Sequence, residues 1–259
     1  MGSGTIRRVS VLGAGGMGTA LALALVEAGC PVRIWARDAD RAAEMTQRRR
    51  NVRHLPGVPF PDALAVTADP AEACLGSDLL VAAIPSAYSR TTMTSIAGVV
   101  PQGVPVLSVV KGIEFGTFAR PSQVLTQTLG PRPVSIMGGP CHAEELALGK
   151  PASVVIAGAD DELNRDLQAL LTRGQLRVYT NNDAIGVELA GALKNVLGLA
   201  AGICDGLDFG DNAKAALLTR GLAEIARFGL NRFTIEQDMH QRPPDRSHPT
   251  RCSGRPFQP

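Results

Sequence analysis

Short apolar runs alternate along this chain with polar or glycine-rich segments, which is typical of proteins that alternate strands with helices. The run DLLVAAI at residues 78–84 is apolar on both faces, as expected of a central parallel strand. Other strands are predicted at residues 9–12, 32–37, 104–110, 134–137, 153–157 and 176–179. Helices are predicted at residues 15–28, 40–50, 69–76, 122–129 and 161–171. The alternation predicts an α/β fold with a largely parallel sheet.

The first strand continues into a glycine-rich turn and an apolar helix, VSVLGAGGMGTALALALV, at residues 9–26. Gly13, Gly15 and Gly18 have G-x-G-x-x-G spacing, which suits a tight turn, a pyrophosphate against the backbone, and helix packing on the strand. The free N–H groups of the helix start favour anions. A chance pattern in a chain with 28 glycines is the alternative. The order of strand, turn and helix favours a Rossmann-like dinucleotide site.

Arg37 ends the second strand, where NAD-selective sites usually place an acidic residue that bonds the ribose 2′-hydroxyl. A cation there suits a 2′-phosphate, so NADP is predicted and NAD stays open. The alternative is a surface arginine paired with Asp38 or Asp40.

Ligands of doubly wound sheets bind outside the carboxyl ends of the strands. Residues 85–87 follow one central strand, and Lys111 follows the next, so both are expected beside the cofactor. Two glycines at residues 138–139 would let the backbone approach a ligand. The alternative interpretation of Lys111 is an ordinary surface lysine. His142 lies at a helix start among acidic residues and is interpreted as structural or surface-exposed.

A second unit opens with the apolar helical stretch AIGVELAGALKNVLGLAA at residues 184–201, which carries a single lysine. Gly191 and Gly198 flank Lys194 on one helical face. Because glycine destabilises a helix, this pattern indicates that a ligand or another backbone approaches the face closely. Apolar surroundings and the charge of Lys111 are expected to lower the pKa of Lys194, which makes it the candidate base. A lysine that reaches solvent from a core helix is the alternative.

Three other segments have weaker signals. The proline-rich stretch at residues 51–63 is predicted to be an ordered loop. Residues 204–213 are predicted to form a loop in which Asp211 or Asn212 caps a helix at 213–228, and their spacing does not suit a calcium site. Five scattered cysteines predict neither disulfides nor structural zinc, so no metal is expected.

Composition limits the function classes. The chain has 259 residues, 45% of them hydrophobic, with a net charge of +2. The basic run Arg48–Arg50 lacks interleaved aromatic residues, which argues against nucleic acid as a partner. No apolar stretch looks long and uninterrupted enough to span a bilayer, and the N-terminus lacks the apolar core of a signal peptide, so a cytoplasmic location is expected.

With these segments in place, the chain resembles the bacterial NAD(P)-dependent glycerol-3-phosphate dehydrogenase family over about residues 9–229. The resemblance rests on long ordered motifs: VLGAGGMGTALA, LPGVPFPD, VVKGIE, GGPCHAEELALGKPASVVIA and IGVELAGALKNVLGLAAGICDGLDFGDNAKAALLTRGLAEIARFG. It implies a Rossmann-like domain followed by an all-helical domain, with the active site between them. It also implies interconversion of dihydroxyacetone phosphate and sn-glycerol 3-phosphate by NADP or NAD, in the service of glycerophospholipid synthesis.

The resemblance assigns roles to individual residues. Lys194 matches the general base and Lys111 its partner. The implied substrate contacts are Lys111, Gly139, Cys141 and Asn195, and the implied cofactor contacts are Gly13, Gly15, Gly16, Met17, Gly18, Arg37, Lys111 and Ala143. Cys141 departs from the serine or threonine that is commoner in the family, and a thiol is a weaker hydrogen-bond partner, so weaker substrate binding is expected. A small phosphorylated molecule is the expected partner, with a homodimer as a further candidate.

Two alternatives stay open from the sequence: a related β-hydroxyacid-type dehydrogenase, and a catalytically silent NAD(P)-binding protein. The resemblance ends after about residue 230, where proline, arginine, serine and histidine replace apolar periodicity. The predicted organisation is a Rossmann-like domain at 1–182, a partial helical domain at 183–230 and a divergent, disordered tail at 231–259.

No part of the tail reproduces the aspartate and the serine-arginine-asparagine motif that complete the family's site. Cofactor binding with severely reduced turnover is therefore expected. The tail looks like the product of a frameshift or a misjoined gene, with a genuinely divergent ending as the other interpretation. A truncated helical domain would also expose apolar helix faces and favour association.

Overall fold

The structure is a computed structural model that describes residues 6–241. Its strands are β1 (Val9–Leu12), β2 (Val32–Trp35), β3 (Arg50–Asn51), β4 (Leu55–Pro59), β5 (Leu64–Thr67), β6 (Leu79–Ala82), β7 (Val106–Ser108), β8 (Val134–Gly138), β9 (Ala152–Gly158) and β10 (Leu176–Asn181). Its helices are α1 (Gly16–Glu27), α2 (Ala39–Arg48), α3 (Pro70–Cys74), α4 (Ser86–Ile96), α5 (Pro121–Leu129), α6 (Ala143–Ala147), α7 (Asp161–Leu171), α8 (Ala184–Gly206) and α9 (Gly210–Gln241).

Eight strands form one sheet in the order β10-β9-β8-β7-β6-β1-β2-β5. Strands β5, β2, β1, β6, β7 and β8 run parallel, and β9 pairs with β8 in the antiparallel direction. The chain builds outward from β1 to β2 and β5, then returns to β6 on the other side of β1. The gap between β1 and β6 is therefore the topological switch point, where open α/β sheets bind ligands. The predicted α/β class is confirmed.

The central strands bury both of their faces because alternate side chains point to opposite sides of the sheet. On β1, Val9 and Val11 belong to a core that also contains Leu21 of α1, whereas Leu12 belongs to a second core with Met93 of α4. All five side chains are fully buried. A buried leucine of this kind contributes about 1.5–3 kcal/mol through removal of apolar surface from water. Two apolar cores thus hold helices on both faces of the sheet.

The proline-rich segment is the first correction to the prediction. Residues 50–59 form the antiparallel hairpin β3–β4 in place of a loop, and the edge strand β5 follows it. Proline is tolerated because β4 is one of only two strands in its sheet and has a free edge.

The second unit is a pair of long helices, α8 and α9, that pack against each other. Gly221 lies directly against the side chain of Leu197, so the absence of a Cβ lets the helices approach. The predicted loop at 204–213 shrinks to residues 207–209, and Asp211 lies inside the first turn of α9 and not at its cap.

Helix α9 continues to Gln241, so residues 231–241, predicted to be disordered, are helical. The rest of the predicted tail, 242–259, lies outside the described residues.

Helix α8 is an exception to the expected lack of a long apolar stretch. Within residues 6–241 it is long and apolar enough to cross a membrane by length and composition, and little of it is buried. That finding is weak by itself, because core helices of other proteins pass the same test. The helix also contains three charged residues, Glu188, Lys194 and Asp205.

Candidate cofactor and active site

The glycine-rich turn has the shape that its spacing predicts. Gly13 adopts a φ of 122°, and a Cβ there would lie 2.6 Å from the carbonyl oxygen of Ala83. A Cβ on Gly18 would overlap the carbonyl oxygen of Gly13. A Cβ on Gly15 would meet no atom within 4 Å. The first and third glycines therefore allow tight packing, and the second faces open space that a pyrophosphate can use.

A cleft of about 670 Å³ opens in front of this turn. It lies at the carboxyl ends of the strands on both sides of the switch point, as doubly wound folds require. The residues that line it include Gly13, Gly15, Gly16, Met17, Gly18, Arg37, Arg41, Arg53, His54, Pro85 and Lys111. Of the residues expected there at 85–87, only Pro85 lines the cleft, and Tyr88 and Thr92 of helix α4 line it as well.

Three arginines line the cleft: Arg37 just after β2, Arg41 on α2 and Arg53 on the β3–β4 hairpin. Arg37 is exposed there, and no ion pair joins it to Asp38 or Asp40 among the residues that the structure describes. Asp38 instead caps α2 by accepting a hydrogen bond of 3.0 Å from the Arg41 backbone N–H. Arg41 and Arg53 complete the group and were missed by the sequence analysis. Arg41 was within reach of that analysis, since it lies four residues after Arg37 on the first turn of α2.

His54, on the β3–β4 hairpin, lines the cleft beside the glycine-rich turn, with its Cβ 3.8 Å from the position of a Cβ built on Gly16. Its pKa lies below the usual value, first because burial disfavours the imidazolium and then because Arg41 and Arg53 repel a further positive charge. The imidazole therefore stays uncharged to lower pH than an ordinary histidine.

Lys111, Cys141 and Lys194 come together beside the cleft. The pKa of Lys111 is lowered, first because neighbouring atoms displace water from its ammonium group and then because of the charge of Lys194. Burial raises the pKa of the Cys141 thiol, while the charges of Lys111 and Lys194 oppose that rise. A small recess lined by Lys111, Gly139 and Cys141 links the cleft to this group. Two lysines predicted from separate domains thus act on the same thiol.

One premise about Lys194 is wrong. Its side chain is exposed and not enclosed by apolar groups. Positions 191 and 198, on either side of it, face open space among the described residues, so no second backbone explains their glycines. Asn195 is exposed on the same helix next to Lys194 and does not line the cleft.

The glycine pair at residues 138–139 needs a different explanation from the predicted one. A Cβ on Gly138 would lie 2.5 Å from Val187 Cγ1 of α8, and a Cβ on Gly139 would lie 2.9 Å from the carbonyl oxygen of Ser153. The first glycine lets α8 pack on the end of β8, and the second lets the chain pass β9. Gly139 still borders the recess at Lys111.

Of residues 142 and 143, only the second lies at the site. Ala143 Cβ lies 3.3 Å from the position of a Cβ built on Gly16, so Ala143 borders the glycine-rich turn. His142 is exposed at the N-cap of α6 and makes no capping hydrogen bond with its side chain. Residues 6–241 contain no cluster of three or more metal-ligating side chains.

Two family models match the chain. The model described as NAD-dependent glycerol-3-phosphate dehydrogenase N-terminus matches residues 8–164, and the model described as its C-terminus matches residues 183–240. The apolar helix α8 and the following helix therefore fall in the region that the second model covers.

Named relatives agree with the models. Glycerol-3-phosphate dehydrogenase [NAD(P)+] of Thermus thermophilus is 50% identical over 224 residues, which are 86% of this chain and 68% of the relative. The protein of the same name from Prosthecochloris aestuarii is 46% identical over 222 residues, 85% of this chain and 67% of the relative. The crystal structure of glycerol-3-phosphate dehydrogenase from Coxiella burnetii matches with a TM-score of 0.81 and 36% identity, covering 87% of this chain and 69% of that one. The chain thus spans about two thirds of the length of these relatives.

Proposed function

The chain belongs to the NAD-dependent glycerol-3-phosphate dehydrogenase family, and on that premise we propose that it interconverts dihydroxyacetone phosphate and sn-glycerol 3-phosphate with NADP or NAD. The observation that carries the proposal is the position of Lys111 on the wall of a cleft that begins at the glycine-rich turn, near enough to Cys141 and Lys194 for their charges to interact. Two neighbouring cations suit a phosphorylated, anionic substrate.

The residues of the cleft fit a nicotinamide dinucleotide. Open space in front of Gly15 and the N–H groups at the start of α1 suit a pyrophosphate. Arg37, supported by the charges of Arg41 and Arg53 in the lining of the cleft, suits the additional phosphate of NADP. When bound, the cofactor would supply or accept the hydride.

The lysines have complementary roles in this proposal. Lys194 is exposed and able to exchange its proton with a substrate hydroxyl, as base in the oxidative direction and as acid in reverse. Lys111 lies at the end of β7 on the cleft wall, where its charge stabilises the developing oxyanion and attracts the substrate phosphate. Gly139 and Cys141 line the small recess beside Lys111.

The test is an assay of the purified full chain. NADH or NADPH oxidation is followed with dihydroxyacetone phosphate, and the binding of each cofactor is titrated separately by fluorescence. Turnover of this substrate supports the proposal. Oxidation of 3-hydroxy acids with no reaction of glycerol 3-phosphate would identify the β-hydroxyacid-type alternative, and cofactor binding without any turnover would identify the silent protein.

A second protein, in which residues after 240 are replaced by the C-terminus of a relative, tests the expectation of reduced turnover. Equal rates in the two proteins would contradict that expectation. A cytoplasmic location, a homodimer and a role in glycerophospholipid synthesis stay predictions from the sequence.

A further inference from the structure

The β3–β4 hairpin, whose role the sequence did not reveal, contacts the glycine-rich turn through one buried side chain. Asn51 is fully buried. Its Nδ2 donates to the Ala14 carbonyl oxygen at 3.1 Å and to Thr19 Oγ1 at 2.8 Å. Its Oδ1 accepts from the His54 backbone N–H at 3.3 Å. Both amide hydrogens and the amide oxygen are thus used.

These bonds fix two carbonyl groups of the turn. The Ala14 carbonyl accepts from Asn51 and also from Arg41 Nη2. The Gly15 carbonyl accepts from the Thr19 backbone N–H at 3.0 Å and from Thr19 Oγ1 at 2.8 Å, and that hydroxyl is itself bonded to Asn51. Asn51 therefore acts on Ala14 directly and on Gly15 through Thr19.

The direction of these carbonyls matters for anion binding. A carbonyl oxygen carries partial negative charge and repels a phosphate, whereas a backbone N–H attracts it. A turn whose carbonyls are held by side chains behind it presents its N–H groups to the cleft without rearrangement when the anion arrives. Preorganisation of this kind strengthens binding because less conformational freedom is lost.

We propose that Asn51 is a positioning residue for the cofactor pyrophosphate, which it does not touch, because it holds the carbonyls of Ala14 and Gly15 away from the phosphate site. The inference rests on the proposed cofactor binding and extends it to a residue outside the glycine motif. Because both cofactors share the pyrophosphate, Asn51 affects NADH and NADPH equally.

Asn164 provides a matched control. It is also a buried asparagine, with Nδ2 donating to the Gly158 carbonyl oxygen at 2.9 Å and Oδ1 accepting from Ser135 Oγ at 2.8 Å. It lies on α7 and does not line the cofactor cleft. The same substitution at both sites removes a comparable buried amide, and only one of them supports the turn.

The experiment measures the dissociation constants of NADH and NADPH, together with the melting temperature, for the full chain and for Asn51→Leu and Asn164→Leu. We expect Asn51→Leu to weaken both cofactors by the same factor, about tenfold. Asn164→Leu should lower the melting temperature and leave both constants within about twofold. Folded Asn51→Leu with unchanged constants would overturn the inference, and so would a loss confined to NADPH.

Thr19 provides a test that does not depend on the folding of Asn51→Leu. Thr19→Val removes the hydroxyl that links Asn51 to Gly15, and Thr19→Ser keeps it. Weaker binding of both cofactors by the valine variant, with recovery in the serine variant, supports the inference, and normal binding by the valine variant overturns it. If the unchanged chain binds neither cofactor, the proposed cofactor site itself fails, together with this inference.

Discussion

Arg120 Nη1 lies 2.8 Å from Glu188 Oε2, and this ion pair joins the second turn of α8 to the start of α5. The Glu188 carboxylate also accepts from the Ser122 backbone N–H at 2.7 Å and from Ser122 Oγ at 2.6 Å. Its side chain is only 1% exposed. Because Lys194 lies six residues further along the same helix, this attachment sets where the candidate base stands relative to the sheet.

Glu188→Ala should lower the free energy of unfolding by about 3–5 kcal/mol, because it removes a buried carboxylate together with its ion pair to half-buried Arg120 and its two hydrogen bonds from Ser122. Denaturant unfolding followed by circular dichroism measures the change. Glu224→Ala is the control, since Glu224 pairs with arginines on exposed α9 and such pairs contribute about 0–1 kcal/mol. Similar small losses in both variants would show that the Glu188 contact is not a structural anchor.

Arg37→Ala should weaken NADPH by about tenfold and leave NADH within about twofold, because the guanidinium suits a 2′-phosphate that NADH lacks. The loss is partial, since Arg41 and Arg53 also line the cleft and keep their charges. Fluorescence titration of each cofactor measures it. Arg48→Ala on exposed α2 is the control for a general loss of positive charge. Equal losses for both cofactors would remove Arg37 from discrimination.

Lys194→Ala should reduce the turnover rate by about 10²–10⁴ while cofactor affinity stays unchanged, because the residue lies on α8 outside the cofactor cleft. Steady-state rates with dihydroxyacetone phosphate and cofactor titration measure the two effects. Lys214→Ala serves as the control, because Lys214 is on the neighbouring helix and pairs with Asp205. Retained turnover in Lys194→Ala would exclude it as the acid and base.

Affinity for the phosphorylated substrate should decline at a lower pH than an ordinary lysine would impose, because the pKa of Lys111 is lowered by loss of water and by Lys194. The charged form attracts the phosphate, so affinity is complete below the lowered pKa and is lost as pH rises through it. The stability effect has the opposite sign: the fold disfavours charged Lys111 at low pH, and that penalty disappears as pH rises towards the pKa of the unfolded chain.

The substrate KM of the unchanged chain and of Lys111→Arg, measured across the alkaline range, checks this prediction. Arginine keeps its charge there, so its KM should rise later with pH. Coincident profiles would assign the alkaline loss to another group.

Cys141→Ser should lower the KM for dihydroxyacetone phosphate by about threefold, because a hydroxyl is a stronger hydrogen-bond partner than a thiol. Cys74→Ser is the matched control: Cys74 is equally a buried free thiol, but it belongs to the core beneath α3 and does not line the cleft. It should reduce stability and leave KM unchanged. A higher KM in Cys141→Ser would show that the recess prefers the thiol.

Local patterns were sufficient to predict much of the nucleotide-binding half. The positions of the β1 turn, Arg37 and Lys111 on the cleft were predicted because each depends on neighbours in sequence: glycine spacing, or the end of an apolar strand. Their roles stay predictions. The location of Lys194 on an apolar helix was predicted in the same way. Its exposure was not, because it depends on how far α8 extends beyond the sheet and on what packs around it.

Features that depend on distant contacts were missed. Asn51 gives no local signal, and its role follows only from contact with Ala14 and Thr19, far earlier in the chain. The hairpin that carries it contains prolines that locally favour a loop. In the second unit the glycine-rich segment from residue 204 was predicted to be a loop. Its first residues instead belong to the end of α8, which packs against α9.

The antiparallel step between β8 and β9 decides the direction in which the second unit leaves the sheet. Had β9 and β10 continued parallel to β8, the chain would leave β10 at the ligand edge and the next helix would run back down the sheet, as crossover helices do. The reversal instead lets α8 pass Gly138, at the carboxyl end of β8, with Val187 and continue outward. The seven residues from there to Lys194 rise by about 10 Å. One change of strand polarity therefore replaces a crossover helix by a helix that leaves the sheet and brings Lys194 near enough to Lys111 for their charges to interact.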